Sequence, residues 1–325
     1  MLVVSRGALL VATASMATGL LAGPGVAYAA DTSTPLSAAE MAAELKAVST
    51  ASARAAADGW TTTVKLTGDD LSGSEFSAVD PAAGVAFERH EFNGWTSAQY
   101  VVAGKGTYDA LVDAASRAAV KMMHRPSVRY VFNADKSVKL DTVVDGLSPA
   151  NFLADGVDQA GTKTVHDDGS ADYRLSEDDA TMTVHVTAAG LLASADDQSD
   201  GDRASFAFTY GPHQVVLPSA AETIGSAALV RGLAYVGMAD TVKRVAGEAA
   251  TDALRSAHGR QITLQSLRKA TQRDAEEFNG AAGVRMIKVK TVRGGVRVYA
   301  KNPWTHRTVS YTLAPSGRKV TIAKN

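Results

Sequence analysis

The sequence predicts an α+β fold built on antiparallel sheet, and three observations carry that prediction. Between Ala171 and Ser219, Met182, Val184 and Val186 alternate with Thr181, Thr183, His185 and Thr187, and Phe206, Phe208 and Tyr210 repeat the alternation. A period of two marks a strand with one buried face. Asn93-Gly94 stands between two further strand patterns, a strong signal for a two-residue hairpin turn. Helical patterns fall only near the start, in the middle and after Pro218, so strand and helix do not alternate as a parallel sheet requires.

Each element has its own signal. Residues 36–57 read as a helix: Ser37 and Glu40 form a capping-box pattern, and Met41, Leu45, Val48 and Ala55 fall near helical spacing. Asp58-Gly59 ends it. A strand from Trp60 places Trp60, Thr62, Val64 and Leu66 on one face. Strands follow near 74–79, 85–92 and 95–102. A helix is expected over about Tyr108–His124, with Leu111, Ala115, Ala118 and Met122 on its apolar side, stopped by Pro126. Val128–Phe132 and Ser137–Asp141 read as a hairpin, 148–153 as a short helical or loop segment, and Thr162–His166 as a strand.

After the strand containing Phe206, Val215 and Leu217 precede Pro218 in strand-like spacing. Helices are then expected around Ile224–Val236, Val242–Ala249 and Leu264–Phe278, with His258-Gly259 as a C-cap. Short strands at 284–292, 296–300, 305–313 and 319–323 close the chain as a meander.

Composition bounds the function. A chain of 325 residues with 46% hydrophobic content has room for two domains. The first 29 residues have the form of a signal peptide: Arg6, an apolar run from Ala8 to Ala22, and Ala27-Tyr28-Ala29 as a cleavage site. That run is too short for the ~20 residues of a spanning helix. A secreted or wall-associated protein beginning near Ala30 is expected. With no cysteine, disulfides, thiolate metal sites and a lipid-modified cysteine are all excluded. Net charge is -1, yet residues 135–202 carry fifteen acids against four bases, and residues 284–325 carry ten bases and no acid. The molecule is electrically bipolar. The basic tail, with Tyr299, Trp304 and Tyr311 interleaved, suits an anionic cell-wall polymer or membrane surface; export argues against nucleic acid.

No catalytic constellation emerges, and no cofactor is expected. Gly104-Lys105-Gly106 lacks the third glycine and the parallel surroundings of a dinucleotide loop. Ser266-x-x-Lys269 has none of the companion elements of penicillin-binding enzymes. A calcium loop starting at Asp196 would put Ala207 where a glutamate is needed, so Asp196–Asp202 reads as a hairpin tip. His166 beside Asp167 and Asp168 could be an oriented base but reads better as a surface cluster.

The helix at 36–57, the strand GWTTTVKL, an interrupting helix, the hairpin DYRLSEDDATMTVHVTAAGLLASADD and the ending FAFTYGPHQVVLP together resemble the LolA-like half-barrel family. Within it they are nearest to the actinobacterial LppX/LprG-type lipid-binding carriers. The likeness spans about residues 36–219. It implies a curved antiparallel sheet with helices on its concave side, which binds acyl chains between sheet and helices without catalysis. The inner-face residues it implies are Trp60, Val64, Leu66, Phe87, Tyr100, Tyr130, Phe132, Met182, Val184, Val186, Phe206 and Phe208. These carriers are usually tethered by a cysteine, which this chain lacks. Residues 220–325, helices followed by the basic meander, are additional to the family. The alternative is a structural or interaction protein of the cell envelope whose basic C-terminal domain holds an anionic surface or partner.

Overall fold

The computed structural model describes residues 31–68, 72–140, 147–153, 159–177 and 179–325. The expected leader lies outside these residues. The described chain forms a thirteen-stranded curved sheet, a four-stranded sheet and five helices.

The large sheet is two meanders joined side by side. One comprises β2 (Trp60–Thr67), β3 (Gly73–Asp80), β4 (Val85–Phe92), β5 (Trp95–Val102), β6 (Gly106–Ala110) and β7 (Tyr130–Ala134). The other comprises β8 (Gly161–Val165), β9 (Ala171–Glu177), β10 (Ala180–Val186), β11 (Leu192–Ser199) and β12 (Asp202–Tyr210). β12 pairs antiparallel with β2, from Arg203 opposite Thr67 to Tyr210 opposite Trp60, and makes the two meanders one surface. β1 (Thr32–Leu36) pairs with β8 at one rim. β13 (Thr223–Gly225) runs parallel to β7 at the other. The sheet does not close into a barrel.

α1 (Ala38–Ala56) begins at the expected capping box: Ser37 accepts from Glu40 N–H while Glu40 accepts from Ser37 N–H. Its Met41, Leu45 and Val48 are buried against Tyr173, Leu175, Val184, Val186, Leu192 and Phe208. Each side chain so buried contributes about 1.5–3 kcal/mol. Gly59 turns the chain back into β2 with φ +122°, and a Cβ there would stand 2.6 Å from Gly211 O. Only glycine fits this crossing. α2 (Ala114–Met122) and α3 (Ser226–Val236) pack on each other and on Leu111, Val128, Val131 and Ile224. A Cβ on Gly232 would lie 3.3 Å from Ala119 Cβ and closer still to Met123, so glycine sets how near the two helices come.

The second unit comprises α4 (Met238–Ala257), α5 (Leu264–Ala281) and the meander β14 (Lys288–Val292), β15 (Gly295–Lys301), β16 (Thr308–Ser316) and β17 (Lys319–Lys324). Val242, Val245, Ala249 and Leu267 meet Val296, Val298, Ala300 and Leu313 in its core. His258, in the left-handed region, ends α4. Tyr235 of α3 stacks edge-on against Trp304 at 5.5 Å, and Arg231 lies over the same ring.

Several elements differ from expectation. Residues 106–110 form β6 rather than the start of a helix. Asp113 then caps α2 by accepting from Ser116 N–H, and this shifts the buried face to Ser116, Ala119 and Val120, leaving Ala115 and Ala118 exposed. β7 pairs with β6 and β13 instead of with residues 137–140, which have no strand; Val138 and Leu140 pack on Trp60 and Val79. Asp141 is outside the described residues. β11 continues to Ser199, so the turn is only Asp200-Gly201 and most of the expected hairpin tip is strand. Residues 212–219 form no strand, and Val216 is 70% exposed. Ile224 belongs to β13 rather than a helix, and the meander starts at Lys288 rather than Val284.

Candidate ligand-binding face

Cross-strand register decides which side chains share a face, since directly opposed residues project the same way. From Trp60, Thr62 and Val64 the pairing leads to Tyr210, Phe208 and Phe206 on β12. It continues to Ala195 on β11, Val184 on β10 and Tyr173 on β9. α1 covers this side. Eight of the twelve expected residues therefore share it: Trp60, Val64, Leu66, Met182, Val184, Val186, Phe206 and Phe208. The other four do not. Phe132 opposes Tyr108, Tyr108 opposes Tyr100, Tyr100 opposes Phe87, Phe87 opposes Ala78, and Ala78 opposes Thr61. Phe87, Tyr100 and Phe132, with Tyr130 two residues from Phe132, thus stand on the face away from α1. There they form an aromatic ladder, with Phe87 and Tyr100 ring centroids 4.6 Å apart and Tyr100 and Tyr130 5.5 Å apart. Burial, then Tyr130, pushes the Tyr100 phenol up to about 12.

On the covered face the apolar floor runs under a thin roof. Phe152 packs on Phe206 at 4.7 Å and on Phe208 at 5.2 Å, and Leu153 is buried beside them. Polar contacts also tie the roof to the sheet. Glu44 of α1 accepts from Lys163 Nζ and Tyr173 Oη, each at 2.9 Å, and these bonds hold its carboxyl below the usual range. Ser52 Oγ accepts from Leu192 N–H at 3.0 Å, Ser49 donates to Ala150 O, and Thr62 donates to Leu147 O. Val64, Val184, Val186 and Phe208 are sealed, whereas Leu66, Met182 and Phe206 along the margin stay half-buried.

Beyond β2 the same face turns polar. Glu75 and Ser77 of β3 oppose His90 and Glu88 of β4, and Glu88 opposes Gln99 of β5. His90 Nδ1 lies 3.4 Å from Glu75 Oε1. Asp109 of β6 accepts from Gln99, from Asn133 at 2.5 Å and from Thr107 at 3.1 Å. Glu88 is only 8% exposed, and desolvation, then the Glu75 charge, raises its carboxyl to about 7. Sequence reading passed over this group. Its signal was the E-R-H-E spacing of β4, legible once the register was known.

The remaining motifs resolve into structural roles. His166 pairs with Asp31 at 3.1 Å and Asp172 at 3.3 Å rather than with Asp167 or Asp168, and the Asp31 and Asp172 hydrogen bonds raise its pKa. Asp196 lies within β11, where it accepts from Ser205 at 2.6 Å and Arg203 at 2.9 Å. Ser266 belongs to the cap of α5 with Thr263. Among the described residues no cluster of His, Asp or Glu has the arrangement of a metal site, and no helix is long and apolar enough to cross a membrane.

The protein class defined by these features is an open α+β half-barrel with helices roofing one face and a second, helix-and-meander unit attached. No family model matches the chain, and no curated protein does. Among solved structures it is similar to an uncharacterized conserved protein from Thermus thermophilus, at 13% identity and TM-score 0.27 over 56% of this chain and 97% of that one. It is similar also to LprF from Mycobacterium bovis, at 11% identity and TM-score 0.33 over 57% and 99%. The Mycobacterium tuberculosis lipoprotein LppX gives 11% identity and TM-score 0.30 over 55% and 98%. Scores this low assign neither a family nor an activity.

Proposed function

We propose that the chain is an exported, non-catalytic binder or carrier of a lipid or other apolar ligand, taken up between the covered face of the sheet and its roof of α1 and residues 147–153. The observation that supports this reading is the half-buried margin at Leu66, Met182 and Phe206, continuous with the sealed floor of Val64, Val184 and Phe208. When the roof lifts, an acyl chain replaces the Met41, Leu45 and Val48 contacts with apolar contacts of its own. The sequence has no cysteine, so a Ser49→Cys/Ala150→Cys pair provides a single reversible lock between α1 and the adjoining segment. Uptake of a fluorescent fatty-acyl probe should be lost on oxidation and return on reduction. Equal uptake in both states, or no uptake by the parent protein, refutes the proposal.

A second reading rests on β14 and β15. Lys290 opposes Arg297 and Lys288 opposes Tyr299, so Lys288, Lys290, Arg297 and Lys301 share the face away from buried Val296, Val298 and Ala300. Such a face suits an anionic wall polymer or membrane surface. Retention on isolated cell walls should then fall with added salt and with Lys288→Glu/Lys290→Glu; retention indifferent to both refutes it.

A further inference from the structure

The polar end of the covered face has a buried hydroxyl without a hydrogen-bond partner among the described residues, beside a nearly buried carboxyl. Ser77 Oγ is fully buried and has no hydrogen-bond partner. Leaving a buried hydroxyl unpaired costs roughly 1–3 kcal/mol. Its cross-strand neighbour Glu88 is a carboxyl with 8% exposure. Glu75 lies near enough to act on Glu88 electrostatically, and it also holds His90. No lysine or arginine of β2–β5 faces this side: the register puts Lys65 opposite Ser74 and Arg89 opposite Phe76, both on the far face. A buried carboxyl with a second, half-buried carboxyl near it and an unpaired hydroxyl beside it, with His90 the only basic side chain of β2–β5 on this face, is complementary to a positively charged donor group.

We infer that Glu88, Ser77 and Glu75 form a subsite for the ammonium-bearing end of an amphipathic ligand whose apolar chain lies over Val64 and Phe206. The assignment rests on the carrier reading above and specifies its ligand. Val64 opposes Glu75 on one side and Phe206 on the other, so the apolar floor and the carboxyls are adjacent on one surface. The ammonium donates to Glu88 and Ser77, satisfying both groups, and its charge offsets the repulsion between the two glutamates. A carboxylate or phosphate head meets that repulsion instead.

Three single-chain probes test this: n-decylammonium, n-decanol and n-decanoate, each competing with a fluorescent fatty-acyl probe on the purified protein. Decylammonium should displace the probe at concentrations at least roughly tenfold below decanoate, the ratio that one charge-assisted hydrogen bond supports. Glu88→Gln should bring that ratio to about one while decanol binding persists, and Ser77→Ala should reduce it severalfold. Glu91→Gln, on the opposite face and exposed, controls for general surface charge and should leave the ratio intact. Decanol binding without an ammonium preference, or a preference that survives Glu88→Gln, overturns the subsite alone. Failure of all three amphiphiles to bind overturns the carrier reading and the subsite with it.

Discussion

Glu88 shows what one buried carboxyl does to a sheet. Its pKa in the folded protein, about 7, lies above the 4.5 of an ordinary glutamate. Between those values the folded state holds the extra proton, so stability falls as pH rises through the window and the cost is fully present above it. The size is at most ~3 kcal/mol, less to the extent that water reaches the group. Glu88→Gln should flatten the unfolding free energy between about pH 4.5 and 7 and raise the melting temperature at pH 8. A pH profile unchanged by the substitution would contradict the assignment. Why the residue was missed is instructive. Asn93-Gly94 fixed Phe87 opposite Tyr100 from sequence alone, but the length of the turn from β2 to β3 did not fix which face that pair took. A slip of one residue exchanges the faces. Taking aromatic rings as the inner set therefore chose the wrong side for four residues and concealed Glu88, Glu75 and Ser77.

Among the elements, α1 was the most legible and α2 the least. Ser37 and Glu40 specified the start of α1, and its spaced Met41, Leu45 and Val48 are the buried stripe. α2 follows a strand whose alternation of Tyr108 and Ala110 is also compatible with helix, and its buried stripe is Ser116, Ala119 and Val120, small residues that stand out less as core candidates than Leu111 and Met122. The Asp113 cap marks where the helix starts. If α1 is the roof, weakening its attachment and weakening its fold are separable. Leu45→Ala removes a buried side chain and should cost ~2–5 kcal/mol of stability by denaturant unfolding. Ser37→Ala removes only the exposed cap, worth ~0.5–2 kcal/mol. It should speed amide exchange in the first turn of α1 while leaving that of β10 and β11 unchanged. Equal acceleration throughout would show that helix and sheet open as one unit.

For the whole molecule, the sequence announced the opposed charges and the closing meander but placed the division at Pro218. The chain after that proline still serves the large sheet. Arg129 and Tyr130 N–H groups donate to Glu222 O, Arg125 donates to Thr223 O, and Ile224 is buried beside Leu111 and Val128. These contacts are long-range and leave no local periodic trace. We propose that the first unit extends through α3. A fragment ending at Val236 should fold cooperatively, whereas one ending at Pro218 should melt at a lower temperature and expose the surface that Ile224 and Leu229 cover; equal melting would return the division to Pro218. The rims of the large sheet carry a further consequence. One is the five-residue β1, which contains Pro35, and the other is the three-residue β13. Proline cannot donate to a neighbouring strand, and three residues give a newcomer little to grip. Copies crowded together are thereby kept from zipping edge to edge into fibrils, a safeguard that a broad unclosed sheet otherwise lacks.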